Sequence, residues 1–270
     1  PGSGRAFSLP PLRRGCAVEY AGERQRMHNR FVVSDWSAFA PGLESRGQWL
    51  EWARNPRLPE GDQVPPLAEM PAMQRRRLEK LGRMALQVAW QLQPEPEPSV
   101  PVVFSSRHGD ITRTFQMLRG LAGGEALSPT HFGLSTHNAV IAQYSIARGI
   151  TGNYLATAGG VESPEAAVTE ALGLLADGET SVLVVHCDDL TPTDYACYRD
   201  EPEAPYAWAW RLRRPEAGES ALALAAAGQG TQASDSPPLL PHGLDVMRWL
   251  LSADPELAAP VSGRRWTRDA

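Results

Sequence analysis

One turn in this sequence constrains the fold and its possible chemistry more than any other feature. Residues 153–158 predict a short strand, Gly159 and Gly160 a sharp turn, and residues 164–177 an amphipathic helix. A strand–turn–helix unit of this kind can hold one reactive side chain at the positive end of a helix dipole. Because neither glycine has a side chain, we expect the scaffold of a reactive turn without its nucleophile.

The residues after the turn predict a helix start and not a second candidate nucleophile. Ser163 precedes Pro164 and the acidic Glu165, which is typical of a helix N-terminus with a serine N-cap. A hydrolase serine at such a turn would need the pattern Gly-x-Ser-x-Gly, which is absent. We therefore expect Ser163 to cap the helix.

Composition excludes several classes of function. The 270 residues are 42% hydrophobic with a net charge of −5, which is ordinary for a globular protein and argues against a general nucleic-acid binder. Three cysteines, Cys16, Cys187 and Cys197, fit a reducing cytoplasm better than a disulfide framework. No CxxC or HExxH pattern and no apolar run of about 20 residues occurs. We expect no metal, no cofactor, no membrane span and a cytoplasmic location.

Strand-like and helical segments alternate through the middle of the chain. In order they are a helix at 71–93, a strand at 100–105, helices at 112–121 and 129–148, the strand at 153–158, the helix at 164–177 and a strand at 182–186. This alternation predicts an α/β sheet with helices on both faces.

The flanking segments are less strongly patterned. Residues 206–213 and 220–226 predict two antiparallel strands at a sheet edge, and a last helix follows at 243–252. Residues 31–270 are expected to form a single domain, whose first part consists of short elements packed through tryptophans. Residues 1–30 are expected to be a poorly ordered tail or an artificial leader, and a polar loop is expected at 228–241.

The helix before the turn and the turn itself resemble the N-terminal half of β-ketoacyl synthases. The helical pattern Asn-Met-Ala-Ala-Gly-x-x-Ser-Ile of those condensing enzymes is similar to residues 138–146, Asn-Ala-Val-Ile-Ala-Gln-Tyr-Ser-Ile. Their Thr-Ala-Cys elbow is similar to residues 157–159, Thr-Ala-Gly. The cysteine that would attack the acyl thioester falls on Gly159.

A closer resemblance is to the short chain-length-factor-like subfamily found beside aryl polyene pigment genes. Its motifs occur here in the same order, strongly over residues 70–195 and weakly over 205–266. The segments that carry it are Met-Pro-Ala-Met-Gln-Arg-Arg-Arg-Leu at 70–78, Ser-Ser-Arg-His-Gly-Asp at 105–110, Ser-Pro-Thr at 128–130, Phe132, Ser135, His-Asn-Ala at 137–139 and Asp-Asp-Leu-Thr-Pro at 188–192.

The resemblance implies a thiolase-like half-fold with a mixed sheet between helices. A complete condensing enzyme has two such halves, and its second half supplies two histidines that complete the catalytic site. We expect these 270 residues to be too few to include that second half. We therefore expect no catalytic residue here and no decarboxylative condensation by this chain alone.

The function that the resemblance implies is that of a non-catalytic subunit. It would form a heterodimer with a catalytic β-ketoacyl-ACP synthase, stabilise it and shape its acyl tunnel in the fatty-acid-like synthesis of a polyketide or aryl polyene. An acyl carrier protein would be the second partner. The arginines at 75–77 and Arg83 could meet its acidic face, or they could form an ordinary solvated helix face.

Candidates for the shared tunnel and the partner interface come from two segments. They are His108, Ile111, Phe115 and Met117 after the strand at 100–105, and Asn153, Tyr154, Leu155, Ala156, Thr157 and Ala158 before the turn. In condensing enzymes the strand before the elbow pairs across the subunit two-fold, and without a partner so apolar a strand is an aggregation hazard. His108 could instead be a loop histidine bonded to Asp110 or to a backbone carbonyl.

His137 and Asn138 form a possible polar site. They could equally be a pair that satisfies backbone groups near the turn. One alternative function is an independent thioesterase or acyltransferase that uses His137 or His108 with a serine. Another is a homodimeric acyl-binding scaffold without a ketosynthase partner.

Overall fold

One mixed sheet with helices on both faces organises the chain. The computed structural model describes residues 29–226 and 238–269, so residues 1–28 of the expected tail and most of the loop expected at 228–241 lie outside the described residues, while Arg30 already begins a strand. Within them the sheet has eight strands in the order β3-β2-β4-β5-β1-β6-β8-β7. The strands are β1 (Arg30–Phe39), β2 (Val102–Ser105), β3 (Tyr154–Thr157), β4 (Val182–Asp188), β5 (Tyr206–Arg213), β6 (Leu222–Ala225), β7 (Glu256–Ala258) and β8 (Arg265–Arg268).

Helices connect and cover these strands. They are α1 (Arg46–Arg54), α2 (Ala72–Arg75), α3 (Lys80–Leu92), α4 (Ile111–Ala122), α5 (Pro129–Ser135), α6 (Ala139–Arg148), α7 (Ser163–Ala176) and α8 (His242–Leu251), with a 3₁₀ turn at Thr193–Tyr198. Strands β3, β2 and β4 pair in parallel, and the pairings from β4 onward to β7 are antiparallel. The parallel part is the strand–helix alternation that the sequence predicts.

Alternating side chains of β4 fill two separate cores. Val182 and Val184 belong to a cluster on the face covered by α1, α7 and α8. Leu183 and Val185 belong to a second cluster on the face covered by α3 and α6. Because successive residues of a strand point to opposite faces, the continuous apolar run is the expected pattern of a strand buried on both sides.

The single helix predicted at 71–93 is wrong, because the chain breaks between α2 and α3. The carbonyl of Arg77 in the break accepts a hydrogen bond from the guanidinium of Arg113, at 2.9 Å. The guanidinium of Arg75 donates to the carbonyl of Leu67 at 2.9 Å. Arg113 thus binds a backbone carbonyl inside the break, and Arg75 binds one that precedes the helical segment. The Arg75 side chain is therefore held by a hydrogen bond within the chain.

The helix predicted at 129–148 is likewise divided, into α5 and α6. Thr136 between them has an extended backbone, with ψ 148°. The ring of His137 turns toward the sheet, and its Nε2 lies 3.0 Å from the carbonyl oxygen of Thr157. A contact with the last residue of β3 therefore coincides with the break.

The position of the antiparallel strands also differs from the sequence-based expectation. β5 is not at an edge but lies between β4 and β1. β1 is a ten-residue strand at the centre of the sheet, where we expected only short elements. Its register shifts between Val33 and Asp35, and Ser34 and Asp35 interrupt its apolar pattern, so the sequence carries a weak strand signal there.

β3 forms one outer edge of the sheet. Tyr154 is 39% exposed and Leu155 is 37% exposed. Further exposed large apolar side chains lie on the helices of the same flank, α4 to α6, and in the loop between α4 and α5: Leu118, Leu121, Leu127, Phe132 and Ile146. This set, together with β3, is called the β3 flank below.

Gly243 in α8 gives a test of how tightly this helix packs on the sheet. A Cβ atom there would lie 2.1 Å from the hydroxyl oxygen of Tyr206 and 2.5 Å from Nε2 of His186. We expect Gly243→Ala to lower the free energy of unfolding by about 3 kcal/mol, because the methyl group must displace a buried hydrogen-bonded pair.

Chemical denaturation of wild type and variant measures this change. Gly173→Ala in α7 is the matched control, since nothing lies within 4 Å of its added Cβ. It should stabilise the protein by about 0.5–1 kcal/mol through helix propensity. Equal effects of the two substitutions would contradict the close packing of α8.

Candidate functional site

The Gly159–Gly160 turn joins the edge strand β3 to the N-terminus of α7. Gly160 has φ 62°, in the left-handed region that favours glycine. The amide of Glu162 donates to the carbonyl oxygen of Gly159 at 3.1 Å, and the amide of Ser163 donates to that of Gly160 at 3.2 Å. The turn therefore has the strand–turn–helix form that the sequence predicts.

The space at Gly159 is too small for any side chain. A Cβ atom there would lie 2.8 Å from the carbonyl oxygen of Glu162 and 3.2 Å from Cβ of Ala166. Backbone atoms of the first helical turn thus fill the position where the resemblance expects a cysteine. A residue other than glycine would require the turn or the helix to move.

The hydroxyl of Ser163 stabilises this turn through two hydrogen bonds. It accepts a hydrogen bond from the amide of Gly159 at 3.0 Å and donates to the carbonyl oxygen of Gly160 at 2.8 Å. The expectation that Ser163 is the N-cap is wrong, because Glu162 is in the cap position and makes no side-chain capping bond. The Gly159 amide therefore already has a partner inside the chain.

Two glutamates anchor the start of α7 to distant parts of the chain. The carboxylate of Glu162 accepts hydrogen bonds from the amides of Val261 and Ser262, at 2.7 and 2.6 Å. Burial alone would raise the pKa of Glu162, but these hydrogen bonds lower it overall. An ionised carboxylate near the positive end of α7 is also stabilised by the helix dipole.

Glu165 is almost completely buried, with 1% of its surface exposed. Its Oε1 lies 2.6 Å from Nε2 of His242 and accepts the indole N–H of Trp266 at 2.6 Å. Its Oε2 has no hydrogen-bond partner among the described residues. Burial would lower the pKa of His242, but the hydrogen bond to Glu165 raises it overall. No local sequence pattern predicts this cluster, because His242 and Trp266 are 77 and 101 residues away from Glu165.

His137 and Asn138 do not form a catalytic pair with a serine. His137 is half-buried and its Nε2 contacts the carbonyl oxygen of Thr157. Asn138 is exposed, and its Oδ1 accepts the hydroxyl of Thr136 at 2.9 Å. His137 thus satisfies a backbone group near the turn, as the alternative interpretation expects, whereas the exposed Asn138 bonds a side-chain hydroxyl and does not share that role.

The interface candidates in the strand before the turn lie along the open edge of the sheet. Tyr154 and Leu155 are exposed, while Ala156 and Thr157 are half-buried. Asn153 and Ala158 flank the strand and are exposed. All four residues of β3 pair in parallel with β2 on one side only.

The tunnel candidates on α4 are divided between two places. Met117 lines an open pocket of about 210 Å³ between α4 and the start of α5, together with Leu121 and Leu127. Phe115 is half-buried and packs edge-on against Tyr195, with ring centroids 5.3 Å apart. Ile111 is half-buried at the first position of the helix.

His108 lies apart from the Met117 pocket. It is exposed and lines a small cavity of about 20 Å³ beside Asp188 and Tyr206. The carboxylate of Asp110 instead accepts the amide of Arg113 at 3.1 Å and caps α4. The structure therefore does not bring His108 and Met117 into one cavity.

A serine–histidine–aspartate chain that sequence reasoning missed lies at the carboxyl ends of β2 and β4. Ser105 Oγ is 2.8 Å from Nδ1 of His186. Nε2 of His186 is 3.3 Å from Oδ2 of Asp188 and 3.0 Å from the hydroxyl of Tyr206. Burial would raise the pKa of Asp188, but hydrogen bonds, that of His186 first, lower it overall. The residue types are those of a hydrolase relay.

This chain of residues is sealed from substrate. Ser105 has 0% and His186 has 1% of its surface exposed. Gly243 of α8 covers Tyr206 and His186 so closely that even a methyl group does not fit. An acyl group cannot reach the serine in this arrangement, so we assign the network to packing between the sheet and α8.

Two other kinds of site are absent from the part of the chain that the structure describes. Over residues 29–226 and 238–269, no group of three or more His, Cys, Asp or Glu side chains is placed to hold a metal ion. No helix in these ranges has the length and apolarity needed to cross a membrane.

Sequence and fold comparisons give a consistent assignment. Residues 49–268 match the family model described as β-ketoacyl synthase, N-terminal domain. A search of curated protein sequences finds no match. Several solved structures share the fold.

One similar structure is a ketosynthase, ApeO, in complex with its chain length factor, ApeC, from Xenorhabdus doucetiae. The match has a TM-score of 0.74 and 24% identity over 89% of this chain and 99% of that chain. A second is the ishigamide ketosynthase/chain length factor, with a TM-score of 0.56, 18% identity and 72% and 65% of the two chains covered.

A third similar structure is AntDE–AntF, a type II polyketide synthase acyl-carrier protein in complex with its ketosynthase bound to the hexaketide. Its TM-score is 0.52, with 12% identity over 69% of this chain and 63% of that chain. These likenesses confirm the predicted thiolase-like ketosynthase fold, with a mixed sheet between helices.

The buried acids and His242 predict a stability that depends on pH. Burial raises the pKa of Asp245, in the first turn of α8, to about 6. A raised carboxyl pKa favours the folded state at low pH, and this contribution is lost as the pH rises from about 4 to 6. The raised pKa of His242 adds a contribution that is full below its ordinary value and is lost as the pH rises through the raised one.

We therefore expect Asp245→Asn to raise the free energy of unfolding at pH 7 by about 1–2 kcal/mol and to change it little at pH 4. Urea unfolding of wild type and variant at both pH values measures this difference. Asp254→Asn is the control: it removes the same charge from a side chain that is 47% exposed and pairs with Arg248 at 3.1 Å, so its effect should be small at both pH values. An equal effect of Asp245→Asn at both pH values would contradict the assignment.

Proposed function

Because this chain belongs to the β-ketoacyl synthase N-terminal domain family, we propose that it is a non-catalytic, chain-length-factor-like subunit. It pairs with a catalytic β-ketoacyl-ACP synthase, stabilises that enzyme and shapes its acyl tunnel. The pair works in the cytoplasm in polyketide synthesis of the aryl polyene type. An acyl carrier protein delivers the chain to the partner's active site.

The observation that carries the proposal is the closed turn at Gly159. Thioester condensation needs a nucleophile at this position, and the carbonyl oxygen of Glu162 leaves no room for one. The amide of Gly159, which could otherwise stabilise an oxyanion, is bound by Ser163. Chemistry is thus absent at the place where the family fold would support it, so we assign the reaction to the partner.

The β3 flank supports a permanent partner. An edge strand with Tyr154 and Leu155 exposed presents free backbone groups and apolar side chains together. The exposed apolar side chains of α4 to α6 extend this surface. Exposed apolar side chains beside a free strand edge are typical of protein–protein contact sites, and obligate pairs bury the more hydrophobic ones.

The pocket beside Met117 supports a contribution to the acyl tunnel. It opens on the same helix, α4, that carries Phe115 and the exposed Leu118. A side chain at the end of a tunnel limits product length sterically, since one methylene group in a tight pocket is worth about 1–3 kcal/mol. Tunnel length is therefore set jointly by α4 of this chain and the partner.

Replacing Leu155 with Asp tests the partner surface. We expect Leu155→Asp to weaken binding to a full-length β-ketoacyl synthase from the same genome at least 30-fold, because the strand interface would bury an unpaired charge. Co-expression followed by affinity purification and titration of the two chains measures the association.

Leu50→Asp is the matched control. Leu50 is 43% exposed, similar to Leu155, but lies on α1 beside β1, away from the edge strand. Wild-type binding that survives Leu155→Asp would contradict the proposed surface, and formation of a stable homodimer without a ketosynthase would support the scaffold alternative. Thioester hydrolysis by the isolated chain, lost in His137→Ala, would instead support the thioesterase alternative.

Substitutions on α4 test the tunnel. In the complex, Phe115→Ala and Met117→Ala are each expected to lengthen the main product by at least one two-carbon unit. Each substitution removes side-chain bulk where α4 is proposed to meet the end of the growing acyl chain. Mass spectrometry of the released products measures the shift. Met73→Ala on α2, where the side chain is 78% exposed, should leave the distribution unchanged. Unchanged products from both α4 variants would remove this helix from the tunnel.

A further inference from the structure

We propose that the C-terminal hairpin, formed by β7, β8 and the loop 259–264, is a positioning element for the edge strand β3. It holds the first turns of α7, and through them the Gly159–Gly160 turn, in the conformation that presents β3 to a partner. The part of this inference that concerns the partner rests on the proposed function. The claim that the hairpin holds the Gly159–Gly160 turn applies to this chain by itself and needs no partner.

Three residues of α7 and its cap, Glu162, Glu165 and Thr169, form hydrogen bonds with the hairpin. The carboxylate of Glu162 accepts the amides of Val261 and Ser262 in the hairpin loop. Glu165 accepts the indole N–H of Trp266 in β8. The hydroxyl oxygen of Thr169 accepts the guanidinium of Arg264 at 2.8 Å.

The spacing of these contacts makes the hairpin a continuous support. Glu162, Glu165 and Thr169 are three and four residues apart, so their side chains lie in one row along the helix. The hairpin is itself fixed to the sheet, because β8 pairs with β6 over four residues. A displacement of the start of α7 is therefore resisted by the pairing of β8 with β6, on the other side of the sheet from β3.

The first turn of α7 is linked to β3 by short contacts. The amide of Glu162 binds the carbonyl oxygen of Gly159, and the hydroxyl of Ser163 binds both glycines of the turn. Only Ala158 separates this turn from the last residue of β3. Since the carbonyl of Glu162 already occupies the space beside Gly159, a shift of the helix must move the turn and the end of the strand.

The chemistry of Glu165 argues for a specific role and not for general stability. A buried carboxylate with one unpaired oxygen costs more free energy than an apolar side chain of the same size in the same place. The groups it satisfies, Trp266 and His242, come from β8 and α8. Such a group fixes one relative arrangement of helix, hairpin and sheet, because any other arrangement leaves its charge without partners.

Glu162→Ala is the sharpest test, because it removes the oxygen that accepts both hairpin amides, and Glu162 is only half-buried, so its loss should not unfold the protein. We expect hydrogen exchange of the amides at 158–163 and of Val261 and Ser262 to become at least tenfold faster in the isolated chain. Binding to the β-ketoacyl synthase should weaken at least fivefold. Arg264→Ala provides a second variant, which breaks only the contact with Thr169 and should change exchange in the same region.

Glu170→Ala is the matched control, since Glu170 is exposed and lies on the same helix. Unchanged exchange at 158–163 in both test variants would overturn the positioning role. Faster exchange with undiminished partner binding would also overturn it, because the turn would then move without consequence for the edge. If wild type binds no ketosynthase, the proposed function fails, and the exchange measurement still decides whether the hairpin holds the turn.

Discussion

The close approach of α7 to the Gly159 backbone determines how the edge of the sheet is built. A carbonyl oxygen lies where a side chain would begin, so the strand can enter the helix only through glycine. The amide of Gly159 and the carbonyls of both glycines are satisfied by the helix start and by Ser163. Because these groups are used for support, the same arrangement that makes the turn rigid also leaves it without a reactive group.

Two clusters of polar side chains in this chain lie in the interior. Ser105, His186 and Asp188 have the residue types of a relay, yet α8 closes over them and no substrate can enter. Glu165 and His242 are similarly enclosed. In each case the hydrogen bonds join elements that are distant in sequence, and buried polar groups of this kind favour one packing arrangement over others. The β3 flank, by contrast, carries exposed large apolar side chains on β3 and on α4 to α6.

The sequence predicted the parts of the fold whose signals are local. Apolar runs marked β2, β3 and β4, and the glycine pair marked the turn, because these signals need no information from elsewhere in the chain. The breaks before Leu78 and at His137 could not be predicted, since they coincide with contacts to Arg113 and Thr157 from other segments. β1 was missed because a register shift and polar residues obscure its alternation.

The candidate site, like the fold, could be predicted from the sequence only where its signal is local. The missing nucleophile at Gly159 could be read directly, whereas the reason that no side chain fits there depends on the path of the helix. Glu165 was recognised only as an acidic residue near a helix start. Its contacts with His242 and Trp266 depend on how three separate elements pack, and no short pattern encodes that arrangement.

The two edge strands of the sheet, β3 and β7, differ in a way that limits the addition of further strands from other chains. β3 at one border is apolar and free along its outer side, whereas β7 at the other border has only three residues and its Glu256 pairs with Arg265. Short, charged outer strands resist further strand addition. A complex formed through β3 therefore closes after a single pairing and does not continue into a fibre.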